Sequence, residues 1–111
     1  MRRHALPLSV LTAVALSLLF ALPVDARDES AVRGEAFARA HCARCHALGP
    51  RGASPMREAP PFRALARGFP IDDLADVLTE GVDRRHPAMP DFRLGPAEAS
   101  DLTAYLKALR R

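Results

Sequence analysis

The chain has 111 residues, which is enough for one small domain. Its 16 basic and 13 acidic residues leave a formal net charge of +3, and no basic run is interleaved with aromatic side chains, so we do not expect nucleic-acid binding. The chain has no tryptophan, one tyrosine and two cysteines. A core built from so few large side chains usually needs a staple, a metal or a cofactor.

The first 26 residues have the pattern of a secretory signal peptide. Arg2 and Arg3 precede an apolar stretch at 5–22, and Val24 and Ala26 stand where a signal peptidase reads small or apolar residues. We expect cleavage after Ala26, which leaves a periplasmic domain of residues 27–111 without a membrane span. Cleavage removes two arginines and one aspartate, so the net charge falls from +3 to +2. The alternative is a retained membrane anchor, for which the apolar stretch is near the lower length limit.

Apolar periodicity in the remaining chain predicts three main helices. The first covers about 31–41, with Ser30 as its N-cap. The second covers 70–81, with Gly81 as a C-terminal cap. The last covers 96–109, and no stretch of the chain has a convincing strand pattern. The sequence therefore predicts a small all-α domain.

Long loops separate these helices. The stretch 48–61 contains four prolines and two glycines, which excludes a long helix and predicts a loop with a fixed course. Short helical turns are expected at 62–67. The stretch 82–92 is expected to be extended or looped, because Pro87 and Pro90 disfavour helix at the residues before them.

Cys42, Cys45 and His46 form a Cys-x-x-Cys-His motif with three chemical interpretations. A disulfide-exchange pair normally lies near a βαβ pattern, and the chain shows no such strands. A structural zinc site needs four ligands, and the motif offers at most three. The remaining interpretation is covalent haem attachment, with thioethers on both cysteines and His46 as a nitrogen ligand to iron. The export signal favours this interpretation, because c-type haem is attached outside the cytoplasm.

Four side chains are candidates for the second axial ligand of the iron. Met89 lies 43 residues after His46, beyond a full helix that can carry the chain to the other haem face, and prolines flank its loop. His86 in the same loop is its rival and would lower the potential. Met56 lies ten residues after His46, in a loop that must first turn beneath the ring, and is expected to be a gap-filling or surface side chain. His41 adjoins the first cysteine and cannot reach the opposite face. We expect Met89.

At this point the sequence resembles the class I monohaem cytochromes c, especially the small bacterial periplasmic ones. Four stretches carry the resemblance: "GEAF" leading into "CARCH", then "APPF", "HPAMPDF" and "DLTAYLKAL". It implies a cytochrome c fold, with three main helices and loops wrapped around one covalently bound haem c. It also implies a periplasmic one-electron carrier with His46 and Met89 as axial ligands. Since both axial positions are then filled, we expect no enzymatic activity.

The resemblance also implies roles for small residues and prolines. A glycine such as Gly34 allows the first and last helices to cross in close contact, near Tyr105 and Leu106. A proline carbonyl accepts a hydrogen bond from the haem histidine, and Pro60 or Pro61 matches that position. Such a bond sets the tautomer of the imidazole and raises its basicity.

We expect the carrier to be a monomer that meets redox partner proteins transiently. An arginine patch could surround the haem edge and attract acidic partners; its members are Arg44, Arg51, Arg57, Arg84 and Arg85. Candidates for the apolar haem wall are Phe62, Ile71, Leu74, Leu78, Phe92 and Leu102. A haem-based ligand binder and a thiol–disulfide oxidoreductase are the alternative functions.

Overall fold

The computed structural model describes residues 26–81 and 86–111, with side chains from Glu29 onward. The predicted signal peptide, apart from Ala26, lies outside the described residues. Within the described part the chain is all-helical and has no strand, which confirms the predicted fold class. The helices are α1 (Ala26–His41), α2 (Phe62–Gly68), α3 (Ile71–Glu80) and α4 (Pro96–Ala108).

Two of the three main helices lie where periodicity predicted them, in α3 and α4, and the expected short turns form α2. The predicted start of the first helix is wrong. Helix α1 begins at Ala26, so Ser30 lies inside the helix and is not its N-cap. The Ser30 hydroxyl instead donates to Asp101 Oδ1 over 2.6 Å. A hydroxyl that finds a partner on another helix is tolerated inside its own helix, which explains the error.

Helices α1 and α4 cross in backbone contact at Gly34. A Cβ atom at this position would lie 2.0 Å from the carbonyl oxygen of Asp101 and 3.0 Å from Cα of Leu102. Only glycine permits this approach, because it has no Cβ atom. We expected this contact near Tyr105 and Leu106, and it lies one turn before them, at Asp101 and Leu102. The side chains of Tyr105 and Leu106 are instead buried in the core.

Charged side chains tie α4 to the other helices. Arg33 of α1 donates from Nε and Nη2 to Asp101, over 2.8 and 2.9 Å. The bonds from Arg33, together with the hydroxyl of Ser30, hold the pKa of the Asp101 carboxyl below its usual value. Lys107 of α4 pairs with Asp72 of α3 over 2.9 Å. These bonds fix the last helix against the first and third.

The hydrophobic core lies between the helices and is built mainly from α2, α3 and α4. Its members are Ala38, Phe62, Ala66, Ile71, Leu78, Leu94, Ala99, Leu102, Tyr105 and Leu106. Met89 and Phe92 pack against this core from the segment before α4. None of the helices in the described ranges is both long enough and apolar enough to cross a membrane.

The proline-rich loop between α1 and α2 has a fixed course, as the sequence predicts. Ala47 donates its N–H to Ser54 Oγ over 3.0 Å and accepts from Phe62 N–H over 2.9 Å. The carbonyl oxygen of Leu48 accepts from the Tyr105 hydroxyl over 2.8 Å. These bonds close the loop on itself and attach it to α4.

Candidate haem-binding site

A cavity of about 690 Å³ lies between the segment 41–60 and the segment 86–92. Its volume is within the range of small-molecule and cofactor sites, roughly 300–1,000 Å³. Five of the six residues that the sequence assigned to the cofactor line it: Cys42, Cys45, His46, Pro60 and Met89. Residues that were about 40 positions apart in the chain therefore share one cavity.

The Cys-x-x-Cys-His motif forms a turn directly after α1. The N–H of Cys42 donates to the carbonyl oxygen of Ala38 over 2.8 Å, which continues the helical pattern past His41. The carbonyl oxygen of Cys42 then accepts from the N–H groups of Cys45 and His46, over 3.2 and 2.9 Å. Neither cysteine forms a disulfide. This compact turn brings both thiols and the imidazole to the same cavity.

The imidazole of His46 is oriented by the chain before α2. Its Nδ1 atom lies 2.7 Å from the carbonyl oxygen of Pro60, so the N–H is on Nδ1 and Nε2 remains free to bind a metal. Pro61 instead accepts from the N–H of Ala64 over 2.9 Å, at the start of α2. Of the two prolines that the resemblance allows, the structure therefore brings Pro60 to the histidine.

Met89 lies on a segment held by short turns. Its N–H donates to the carbonyl oxygen of His86 over 3.0 Å, and Phe92 N–H donates to Pro90 over 2.9 Å. Leu94 N–H then donates to the carbonyl oxygen of Leu78 over 2.8 Å, which attaches the segment to α3. The side chain of Met89 is half-buried against the core, whereas His86 is exposed.

The other candidate ligands also line the cavity but lie differently. Met56 N–H donates to the carbonyl oxygen of Cys45 over 3.2 Å, so Met56 belongs to the same wall as His46. The ring of His41 is exposed and contacts Phe37, with ring centroids 4.5 Å apart. Both Met89 and His86 line the cavity from the other segment, 86–92.

The electrostatics of Cys42 do not suit disulfide exchange. Burial, with a smaller effect of Cys45, raises the pKa of the Cys42 thiol to about 11. Reactive cysteines need a lowered pKa, because the thiolate is the nucleophile.

In the part of the chain that the structure describes, no three His, Cys, Asp or Glu side chains form a group that could hold a metal ion.

The expected haem wall and arginine patch are only partly assembled around the cavity. Phe92 lines it, while the other apolar candidates lie in the core or against it. Arg44 lines the cavity and is exposed, and Arg51 and Arg57 are exposed outside its wall. Arg84 and Arg85 lie outside the described residues.

Sequence reasoning missed two residues near the site. Glu58 lines the cavity, but a single exposed acidic residue in a loop has no distinguishing pattern. Tyr105 reaches the carbonyl oxygen of Leu48 across 57 residues of chain. Because that carbonyl is a backbone group, no side-chain pattern in the sequence indicates the pairing.

The residues around the cavity fit a haem group. The thiols of Cys42 and Cys45 would match the two vinyl groups, His46 with its free Nε2 could supply a nitrogen ligand, and the Met89 thioether could supply a soft one. The fold and the site together define a class, the small all-α proteins that hold one covalently attached haem.

Comparison with known proteins places the chain within that class. The family model described as cytochrome c oxidase, cbb3-type, subunit III, matches residues 29–106. The chain is 34% identical over 112 residues to the cytochrome c-552 of Bradyrhizobium diazoefficiens, with 99% of each chain covered. No solved structure matches the chain. The protein therefore belongs to the cytochrome c family, as a small monohaem cytochrome c.

Proposed function

We propose that this protein is a periplasmic one-electron carrier with one haem c attached through Cys42 and Cys45. His46 and Met89 are its axial ligands. One observation carries the proposal: a single cavity of about 690 Å³ collects the Cys-x-x-Cys-His motif and Met89 from two separate segments. Family membership supports a haem-based electron carrier.

Bound haem supplies an iron that moves between the ferric and ferrous states. The chain's own residues set how readily it does so. Pro60 accepts from His46 Nδ1, which orients the imidazole and raises its basicity. With haem bound, the thioether of Met89 would favour the ferrous state and raise the potential relative to a second histidine. With both positions filled, no iron site remains for a substrate, which supports a carrier rather than an enzyme.

The position of Met89 supports its assignment as the second iron ligand over His86 and Met56. Its side chain packs against the core, so little ordering of the chain is needed for it to act as a ligand. His86 is exposed, and it would have to leave water to bind iron. Met56 is bonded through its backbone to Cys45, on the wall that already supplies His46.

Residues 1–26 serve as an export signal in this proposal and are removed after Ala26. The similarity to a cytochrome c-552 over 99% of both chains supports export, because covalent haem attachment takes place outside the cytoplasm. The mature protein acts as a monomer and meets its redox partners transiently. Arg44 at the exposed rim of the cavity favours acidic partners.

Production in a bacterial periplasm with haem attachment tests the proposal. Mass spectrometry should give the mass of residues 27–111 plus one haem. A mass without haem would contradict the cofactor assignment, and a chain that retains residues 1–26 would contradict cleavage. Ready binding of carbon monoxide by the reduced protein at neutral pH would indicate a ligand binder instead of a carrier.

The near-infrared band of a thioether–iron bond tests the ligand assignment. We expect the oxidised protein to show this band and Met89→Ala to lose it. Met56→Ala and His86→Ala are the matched controls and should keep it. A band that survives in Met89→Ala and disappears in Met56→Ala would assign the ligand to Met56. Absence of the band from the unmodified protein, with a bis-histidine spectrum that His86→Ala abolishes, would assign it to His86.

A further inference from the structure

Tyr105 of α4 makes a hydrogen bond to the chain just after the haem-binding motif. Its hydroxyl donates to the carbonyl oxygen of Leu48 over 2.8 Å, and the bond is partly buried. The tyrosine itself is only 7% exposed. A tyrosine phenol, with an ordinary pKa of about 10, is protonated at neutral pH and can donate, and burial raises its pKa further. Leu48 lies two residues after His46.

The carbonyl of Leu48 belongs to a loop whose two ends are joined. Phe62 N–H donates to the carbonyl oxygen of Ala47 over 2.9 Å, which brings the end of the loop beside its start. Pro60, the residue that accepts from His46, lies just before this closure. Loosening of the loop start relative to α4 therefore disturbs the spacing between the histidine and its hydrogen-bond acceptor.

A row of aromatic rings gives a second connection between α4 and the histidine. The Phe62 ring lies 5.5 Å from the ring of His46 and 6.4 Å from the ring of Tyr105, measured between centroids. Both contacts are tilted, at 59° and 52°, as aromatic pairs prefer. Phe62 is buried, so it cannot shift without disturbing both neighbours.

We propose that Tyr105 is a positioning residue for the iron ligand. Its hydroxyl holds the loop that presents Pro60 to His46, and its ring supports the imidazole through Phe62. This inference rests on the proposed function, since it takes His46 to be an axial ligand. It adds a residue of α4, outside the cavity wall, that sets how strongly the histidine donates to iron.

The proposal predicts a direction for the reduction potential. Without the tyrosine hydroxyl the loop is held less firmly, so the bond from His46 Nδ1 to Pro60 weakens. A weaker bond makes the imidazole a less basic ligand, which stabilises ferric iron less. The potential of Tyr105→Phe should therefore be higher than that of the unmodified protein.

The test compares the haem-loaded Tyr105→Phe protein with the unmodified protein and with Ser30→Ala. Tyr105→Phe removes one hydroxyl and keeps the ring. Ser30→Ala removes a hydroxyl that also links a helix to α4, through Asp101, but has no bond to the loop. In Tyr105→Phe we expect amide exchange at Ala47 and Phe62 to be on the order of tenfold faster. We also expect a higher potential and a shifted proton resonance of His46 Nδ1.

Ser30→Ala should change none of these three quantities, although it lowers the thermal stability. Faster exchange in Tyr105→Phe with an unchanged potential and His46 resonance would show a purely structural tether and overturn the proposal. Unchanged exchange would overturn it as well. Failure of the proposed function is seen separately, because the unmodified protein would then lack haem or histidine ligation before any variant is compared.

Discussion

The helix crossing at Gly34 allows a quantitative prediction for Gly34→Ala. The new Cβ atom would lie 2.0 Å from the carbonyl oxygen of Asp101 and 2.5 Å from its carbonyl carbon, where ordinary contacts begin at 3.4 Å. Both neighbours are backbone atoms, so no side-chain rotation relieves the overlap. Helices α1 and α4 have to separate by about 1 Å or more, which breaks the close packing on both sides of the crossing.

The expected loss of stability is larger than the gain in helix propensity. Alanine in place of glycine favours a helix by about 1 kcal/mol. Overpacking usually costs about 1–3 kcal/mol and more where the backbone itself has to move. The separation also stretches the bonds from Ser30 and Arg33 to Asp101. We therefore expect a net loss of about 3 kcal/mol, which corresponds to a fall in Tm of about 15 °C.

Thermal unfolding of the haem-loaded proteins, followed by far-UV circular dichroism, measures this loss. Gly68→Ala is the matched control, because Gly68 also lies in a helix and a Cβ atom there would meet nothing within 4 Å. We expect the control to stay within about 0.5 kcal/mol of the unmodified protein. If Gly34→Ala melted at the same temperature as the control, the backbone contact between α1 and α4 would be refuted.

Two further predictions concern Asp101 and Gly81. Arg33 and Ser30 lower the pKa of the folded Asp101 carboxyl. The stability that the ionised carboxyl contributes is therefore fully present above the unfolded pKa of about 3.9, and it disappears as the pH falls through the folded pKa. Urea unfolding should be measured from pH 7 to pH 2. At neutral pH we expect Asp101→Asn to be less stable than the unmodified protein by up to about 1 kcal/mol, and at the acid end we expect the two to be equally stable. A constant difference at all pH values would contradict this. Gly81 has φ +116°, and a Cβ atom there would lie 2.8 Å from Asp91 Oδ1. We therefore expect Gly81→Ala to lower the free energy of unfolding, measured in urea at pH 7, by about 2 kcal/mol. A loss no larger than that of Gly68→Ala would argue against strain at this position.

Local sequence signals were sufficient to place most of the helices. Apolar periodicity marks both α3 and α4, and Gly81 marks the end of α3, because these signals act on the helix that contains them. The start of α1 was missed because Ser30 is a good N-cap by itself. Its actual partner, Asp101, lies 71 residues away, and no local rule includes that distance.

In the candidate site, too, local sequence signals predicted some features, and others depended on the folded chain. The Cys-x-x-Cys-His motif indicates haem from the sequence alone, because the attachment chemistry needs those residues at that spacing. The choice between Pro60 and Pro61 depended on which carbonyl the folded loop presents to His46. That Met89 shares a cavity with the motif depended on how α3 and the following segment pack. The bond from Tyr105 to Leu48 and the backbone contact at Gly34 likewise exist only in the folded chain.

The sequence by itself determined the helical class, the haem-binding motif and the small set of possible ligands, since all of these depend on residue type and short spacing. Tertiary structure alone decided which residues meet across the fold. In hydrogen bonds to backbone carbonyls and in contacts between helix backbones, at least one partner is a backbone group. Residue type does not reveal such a partner. These bonds and contacts arise when the core forms, and they fix the histidine, its proline acceptor and the crossing of α1 and α4 in one arrangement.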